Sequence, residues 1–166
     1  MKDLSLITKS ADETRELGAE IGKHSEAGIV ILLDGDLGAG KTCLTQGIAK
    51  GLDISRSVTS PTFTIQKIYH GRLLLNHIDA YRLEGIHQDL GFDEYLNDEG
   101  LTVIEWSQFS PDLVPEEHLK ISIQLLENGD REFTFHAIGK KYEDLLEVLA
   151  WLLYVWIQVI SIYHLR

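Results

Sequence analysis

The sequence predicts an α/β domain of three layers, with a mixed, mainly parallel central sheet and an antiparallel hairpin near the C-terminus. Three observations carry that expectation. The runs GIVILLD and LTVIEW are almost continuously aliphatic, the pattern of strands covered on both faces. The first run passes through a glycine-rich segment straight into helical spacing, a strand, loop and helix in succession. Residues on either side of Asn128-Gly129-Asp130 alternate in polarity, the strongest short-range signal for a hairpin.

Taken in order, residues 10–13 read S-x-x-E, a capping box, ahead of apolar Leu17 and Ile21 and small Gly18 and Gly22. They predict a helix to about Lys23. GIVILLD follows at strand length. Beyond the glycine-rich segment, Leu44, Ile48 and Leu52 recur at helical spacing, with Gly51 near the end. FTIQKIYHGRLLLNHIDAYR reads as two strands about a His70-Gly71 turn, although the alternation is clean only in its first half. LTVIEW is a further buried strand, HLKISIQLLENGDREFTFHAI is the hairpin, and KKYEDLLEVL closes with a helix. Strands alternate with helices and no repeat or linker intervenes, so residues 1–149 read as one domain.

Composition agrees. A chain of 166 residues, 44% hydrophobic and 25% charged, is long enough for one soluble globular domain and short for two. Its net charge of -11, with only 15 lysines and arginines, provides no bulk cationic surface for binding nucleic acid directly. Any work on nucleic acid is therefore assigned to a partner. A single cysteine, Cys43, and no secretory leader pattern predict a reducing, cytoplasmic setting.

Gly35-Asp36-Leu37-Gly38-Ala39-Gly40-Lys41-Thr42 matches G-x-x-x-x-G-K-[ST] between a predicted strand and a predicted helix, the context in which that motif binds phosphate. Its glycines allow successive N–H groups to converge on phosphate oxygens. Lys41 would reach the β and γ phosphates and Thr42 would offer its hydroxyl to Mg²⁺, while the helix N-terminus adds partial positive charge. The expected ligand is a nucleoside triphosphate with Mg²⁺. Cys43 at the helix start reads as a small residue beneath the phosphates rather than a redox thiol.

Such a site also needs carboxylates at strand ends, and Asp79 in LLLNHID and Glu105 in LTVIEW are the candidates. Either could hold Mg²⁺ or orient the attacking water. Ser60, Pro61 and Thr62 lie in VTSPTFT, which reads either as a plain proline turn or as a switch segment sensing the γ-phosphate. The seven histidines show no zinc spacing, and His77 reads as an ordinary strand histidine with its hydrogen bonds made.

With the phosphate loop, SPTF, HIDAYRL and VIEWS in that order, the chain resembles the TsaE family, formerly YjeE, the bacterial ATPases of tRNA threonylcarbamoyladenosine biosynthesis. The likeness spans roughly residues 4–149. It implies a small P-loop ATPase that binds the related proteins TsaD and TsaB and slowly hydrolyses ATP to sustain formation of N6-threonylcarbamoyladenosine at position 37 of tRNAs reading ANN codons. tRNA would be met only through that complex. The resemblance further implies that residues 38–43 wrap the phosphates, that Thr42 and Glu105 bind Mg²⁺, and that Asp79 is the second acid, with Trp106 beside it. Ser10 and Arg131 would approach the nucleotide from the far side, and Ser60, Pro61 and Thr62 would form the switch-like segment. Three features depart from the family pattern: Cys43 replaces a second threonine, Ser107 stands where proline is common, and an apolar tail follows.

That tail, residues 150–166, carries one formal charge and is apolar all round, unlike a surface helix. It is also shorter than the roughly 20 residues that span a bilayer. Packing on the domain or on another copy, a non-native or altered-frame extension, and membrane or partner contact all remain open readings. For the domain itself, a small-molecule kinase would need an arginine-rich lid that the sequence lacks, and a signalling GTPase would need Asn-Lys-x-Asp, which is absent. A module that binds nucleotide without hydrolysing it is the remaining alternative.

Overall fold

The computed structural model describes residues 1–86, 91, 96 and 99–164. Its elements are β1 (Asp3–Thr8), α1 (Ala11–His24), β2 (Val30–Gly35), α2 (Lys41–Gly51), β3 (Gln66–Tyr69), β4 (Leu74–Asp79), β5 (Gly100–Glu105), β6 (His118–Leu125), β7 (Arg131–Ile138) and α3 (Lys140–His164). Short 3-10 helices occupy Tyr81–Leu83, Ser107–Phe109 and Pro111–Leu113.

All seven strands form one mixed sheet in the order β1-β7-β6-β2-β5-β4-β3. β6, β2, β5 and β4 run parallel; β3 and β7 turn back on them, and β1 pairs antiparallel to β7. The expected hairpins and buried strands are present. β1 was not among the expected elements. Its alternation of half-buried Leu4 and Leu6 with exposed Ser5 and Ile7 is that of a short edge strand, too brief to stand out from a loop.

β2 shows why its sequence is aliphatic throughout. Ile31 and Leu33 face a core shared with Leu17 and Ile21 of α1, Leu44 and Ile48 of α2, and Leu145 and Leu146 of α3. Val30 and Leu32 face the opposite layer, where Ile78, Ala80, Leu83, Ile104 and Leu113 close over them. Helices α1, α2 and α3 therefore lie on one side of the sheet, and Leu83 and Leu113 of the 3-10 turns on the other.

Two devices fix α2, and with it the phosphate-loop motif. Ser10 caps α1, its hydroxyl accepting the Glu13 N–H at 3.1 Å, while the Glu13 carboxylate accepts the Lys9 N–H at 2.6 Å. The reciprocal half of the capping box is thus shifted by one residue. The helices then cross backbone to backbone through glycine. A Cβ on Gly18 would lie 2.4 Å from the Leu44 carbonyl oxygen, on Gly22 2.2 Å from that of Ile48, and on Gly47 2.2 Å from that of Arg15. No side chain fits in that seam.

α3 is tied to the sheet by Tyr142, whose buried hydroxyl accepts the Val30 N–H at 2.9 Å. Burial raises that phenol's pKa above its ordinary value. Past Leu149 the helix continues without a break into the apolar extension, where Trp151, Tyr154 and Trp156 are 64%, 63% and 50% exposed. No described helix is long and apolar enough to cross a membrane.

Candidate functional site

β2 leaves the sheet at Gly35 and α2 starts at Lys41. Between them the Ala39 N–H donates to the Asp36 carbonyl at 3.0 Å, and Gly38 and Gly40 take φ of 79° and 118°. These are angles that only glycine adopts without strain. Gly40 is the N-cap of α2, so no side chain caps that helix and its first-turn amides face outward for an anion. A Cβ at Gly38 would meet nothing within 4 Å, so the space above the loop is open. Lys41 lies folded back: its Nζ donates to the Gly35 carbonyl at 2.6 Å and sits 4.2 Å from the centre of the Trp106 ring.

The register of the sheet sets two carboxylates beside this loop. Leu33 of β2 pairs with Glu105 of β5, and Glu105 pairs with Asp79 of β4, so these side chains share one face of the sheet. One step down the strands, Ile31, Val103, His77 and Lys67 form the next row across the same face. Asp79 and Glu105 are only 4% and 3% exposed. Asp79 Oδ1 accepts the Tyr81 N–H at 3.0 Å, and Glu105 Oε2 lies 3.4 Å from His77 Nε2. Contrary to the sequence expectation, His77 is not a satisfied strand histidine. It is fully buried, and neither ring nitrogen has a hydrogen-bond partner.

Two of the three described non-glycine residues with left-handed φ lie at the same point, the third being Asp53 just past α2. Trp106, directly after Glu105, has φ of 56°, and Ile65, whose carbonyl accepts the Asp79 N–H at 2.8 Å, has φ of 65°. A β-branched residue rarely adopts that region, and such outliers gather where function over-determines the backbone. Trp106 packs edge-on against Tyr81, their centroids 5.4 Å apart, and Tyr81 likewise meets Phe109 at 5.5 Å. Sequence reasoning did not select Tyr81 or Phe109; the aromatic spacing that could have flagged them spans separate turns.

The remaining candidates fall into two groups, Arg131, Cys43 and Ser10 at the loop and α2, and Ser60 to Thr62 in a separate segment. Arg131 opens β7 opposite Thr8, and its Nε donates to the Ala39 carbonyl at 2.7 Å. Cys43 Sγ donates to the Ala11 carbonyl at 3.3 Å, which holds the Ser10 turn against the first turn of α2. In the second group, the Ser60 and Thr62 hydroxyls bond each other at 2.6 Å around buried Pro61. Lys67 Nζ tethers that segment through Thr59 Oγ1 and the Ser60 carbonyl, and Gln46 of α2 donates to the Val58 carbonyl at 3.2 Å. Lys67 and Gln46 were not anticipated, since their roles depend on strand register and on how α2 packs.

These residues fit a metal-bound polyphosphate. The loop offers open amides and a lysine, and Thr42 stands in the first turn of α2. The two carboxylates are buried with no Lys or Arg ion pair among the described residues. A buried anion without a cation is costly, and a divalent ion would relieve it. Among the described residues no group of three or more His, Cys, Asp and Glu could hold a metal by itself, so phosphate oxygens and water would have to complete its shell.

Comparison with known proteins points to one family. Residues 8–133 match the family model described as threonylcarbamoyl adenosine biosynthesis protein TsaE. The chain is 44% identical over 151 residues to the tRNA threonylcarbamoyladenosine biosynthesis protein TsaE of Bacillus subtilis (strain 168), covering 90% of this chain and 96% of that protein. The protein of the same description from Treponema pallidum (strain Nichols) is 42% identical over 130 residues, covering 77% and 96%. Among solved structures, that of Bacillus subtilis YdiB superposes with a TM-score of 0.78 at 39% identity, over 90% of this chain and 95% of that one.

Proposed function

The chain belongs to the TsaE family of tRNA threonylcarbamoyladenosine biosynthesis, and from that premise we propose that it is a Mg²⁺-dependent ATPase whose nucleotide state governs its engagement with partner proteins. The observation that carries this is the single sheet register that sets Leu33, Glu105 and Asp79 side by side, on the strands that end beside the phosphate loop.

In this reading Lys41 leaves the Gly35 carbonyl and the Trp106 face to neutralise the β and γ phosphates, and the amides of residues 38–43 donate to phosphate oxygens. Thr42 and Glu105 hold Mg²⁺, which when bound neutralises charge on the transferred phosphoryl group. Asp79, fixed by the Tyr81 N–H, orients the attacking water. Arg131 and the Ser10 turn border the nucleotide from the far side. Ser60, Pro61 and Thr62 respond to the γ-phosphate, and Lys67 and Gln46 pass that response to β3 and α2. TsaD and TsaB are the partners, and tRNA is reached through their complex, in keeping with a net charge of -11.

The test is calorimetry with Mg-ATP, followed by hydrolysis assays with and without the TsaD and TsaB proteins. Uptake with slow turnover that rises with the partners is expected. Absence of adenine nucleotide uptake by folded protein would overturn the reading. Uptake without turnover in either assay would leave a non-hydrolysing binding module, and phosphoryl transfer to a metabolite would leave a kinase.

A further inference from the structure

We propose that His77 is a positioning residue for Glu105, holding one carboxylate oxygen so that the other faces the phosphate loop. The inference rests on the nucleotide-site reading above.

His77 is 0% exposed, yet neither of its ring nitrogens is hydrogen-bonded. An imidazole deprived of partners costs free energy, and a strand on this face could have used an aliphatic residue instead, as Leu75 and Val103 do nearby. The polar atom facing it is Glu105 Oε2, 3.4 Å from Nε2 and itself buried. A small turn of either side chain that shortens and aligns this contact makes it a hydrogen bond, with Nε2–H donating to the carboxylate. Register permits this closure. His77 pairs with Val103, two residues before Glu105, so both side chains project from the same face on adjacent strands. A carboxylate that binds a hard cation through one oxygen and is held at the other cannot rotate its charge away from the ion. Such supporting groups typically contribute about 10–100-fold to metal affinity or activity.

The opposite view is that His77 only fills space. Three variants separate the two. Gln places its amide nitrogen close to the position of Nε2, Asn places it near Nδ1, and Leu fills the volume without a donor. Thermal melting of the full chain establishes folding, and titration calorimetry measures ATP affinity across a Mg²⁺ series and with EDTA. His77→Leu should weaken the Mg²⁺-dependent part of binding by about 10-fold or more and leave the metal-free part unchanged. His77→Gln should restore most of it and His77→Asn should not. If His77→Leu does not fold, the Gln against Asn comparison decides alone. Wild-type affinity in folded His77→Leu, or equal behaviour of Gln and Asn, would overturn the assignment. Failure of the wild type to bind Mg-ATP at all would instead remove the nucleotide reading, and this inference with it.

Discussion

The loop after β2 and the ends of β4 and β5 stand side by side on one sheet and are built on opposite principles. The loop gathers donors without an anion: an uncapped helix N-terminus, open space at Gly38, and a lysine that, among the described residues, meets a backbone carbonyl and an aromatic face. The strand ends have acceptors without a lysine or arginine partner among the described residues: two buried carboxylates, flanked by Ile65 and Trp106 in left-handed conformation. Each region leaves unsatisfied what the other lacks, but they do not neutralise each other. On the function proposed above, an anionic ligand carrying its own cation would satisfy both regions at once.

The largest effect should come from breaking the loop side. Lys41→Ala removes the lysine that the proposed function assigns to the phosphates, and turnover with partners should fall by about 10²–10³-fold. Melting should move little, because the bonds of Lys41 face the site and not the core. Steady-state hydrolysis alongside thermal melting checks this. Unchanged turnover would mean that the loop and the carboxylates do not form one site.

Next comes the acidic side, where function and stability should part. Glu105→Gln should lower turnover by about 10²-fold and yet raise the stability of the nucleotide-free protein by about 1 kcal/mol, since it removes a buried carboxylate that no lysine or arginine pairs with among the described residues. Steady-state hydrolysis measures the first effect and chemical denaturation without nucleotide the second. A loss of stability in the nucleotide-free state would show that the carboxylate is already compensated and would end the contrast drawn above.

Smaller effects sharpen the comparison by separating glycines that bind from glycines that pack. Gly47→Ala drives a Cβ to within 2.2 Å of the Arg15 carbonyl oxygen and should cost at least about 1–3 kcal/mol of folding stability. Gly38→Ala meets no neighbour, and its cost should be the left-handed backbone alone, about 1–2 kcal/mol, with a greater effect on nucleotide affinity. Urea midpoints and calorimetry on the two variants should rank them in opposite order.

This contrast also marks what was readable in the sequence. The loop was legible in full because its chemistry is local: residues 35–42 are consecutive, and the flanking aliphatic run and helical spacing supply the context. Asp79 and Glu105 were legible as strand ends but not as neighbours, because a pairing between β4 and β5 is set by sheet register over a long stretch of chain. The missing partners of His77 and the left-handed Trp106 are consequences of packing, with no local signal. In α1, Gly18 and Gly22 were visible as small residues, whereas Gly47 of α2 was not singled out. That Gly18 and Gly47 mark contacts of backbone with backbone depends on a helix crossing that neither segment encodes alone.

Ser10 gives the smallest effect and the finest discrimination. The family likeness sets it toward the nucleotide, while the structure commits its hydroxyl to the Glu13 N–H at the start of α1. A side-chain oxygen used as an N-cap is worth about 1 kcal/mol, and Ser10→Ala should lose that much stability. Nucleotide affinity should change by less than about 3-fold, an amount worth under 1 kcal/mol. The two readings differ in what Ser10→Thr does: a cap tolerates the extra methyl group and keeps its stability, whereas a direct ligand contact in a confined space would not. If Ser10→Ala weakened ATP binding by 10-fold or more with the helix intact, the hydroxyl would have to leave its cap when nucleotide arrives. The Ser10 turn would then belong to the donor side of the site, making α1 part of the response to ATP as well as the support of α2.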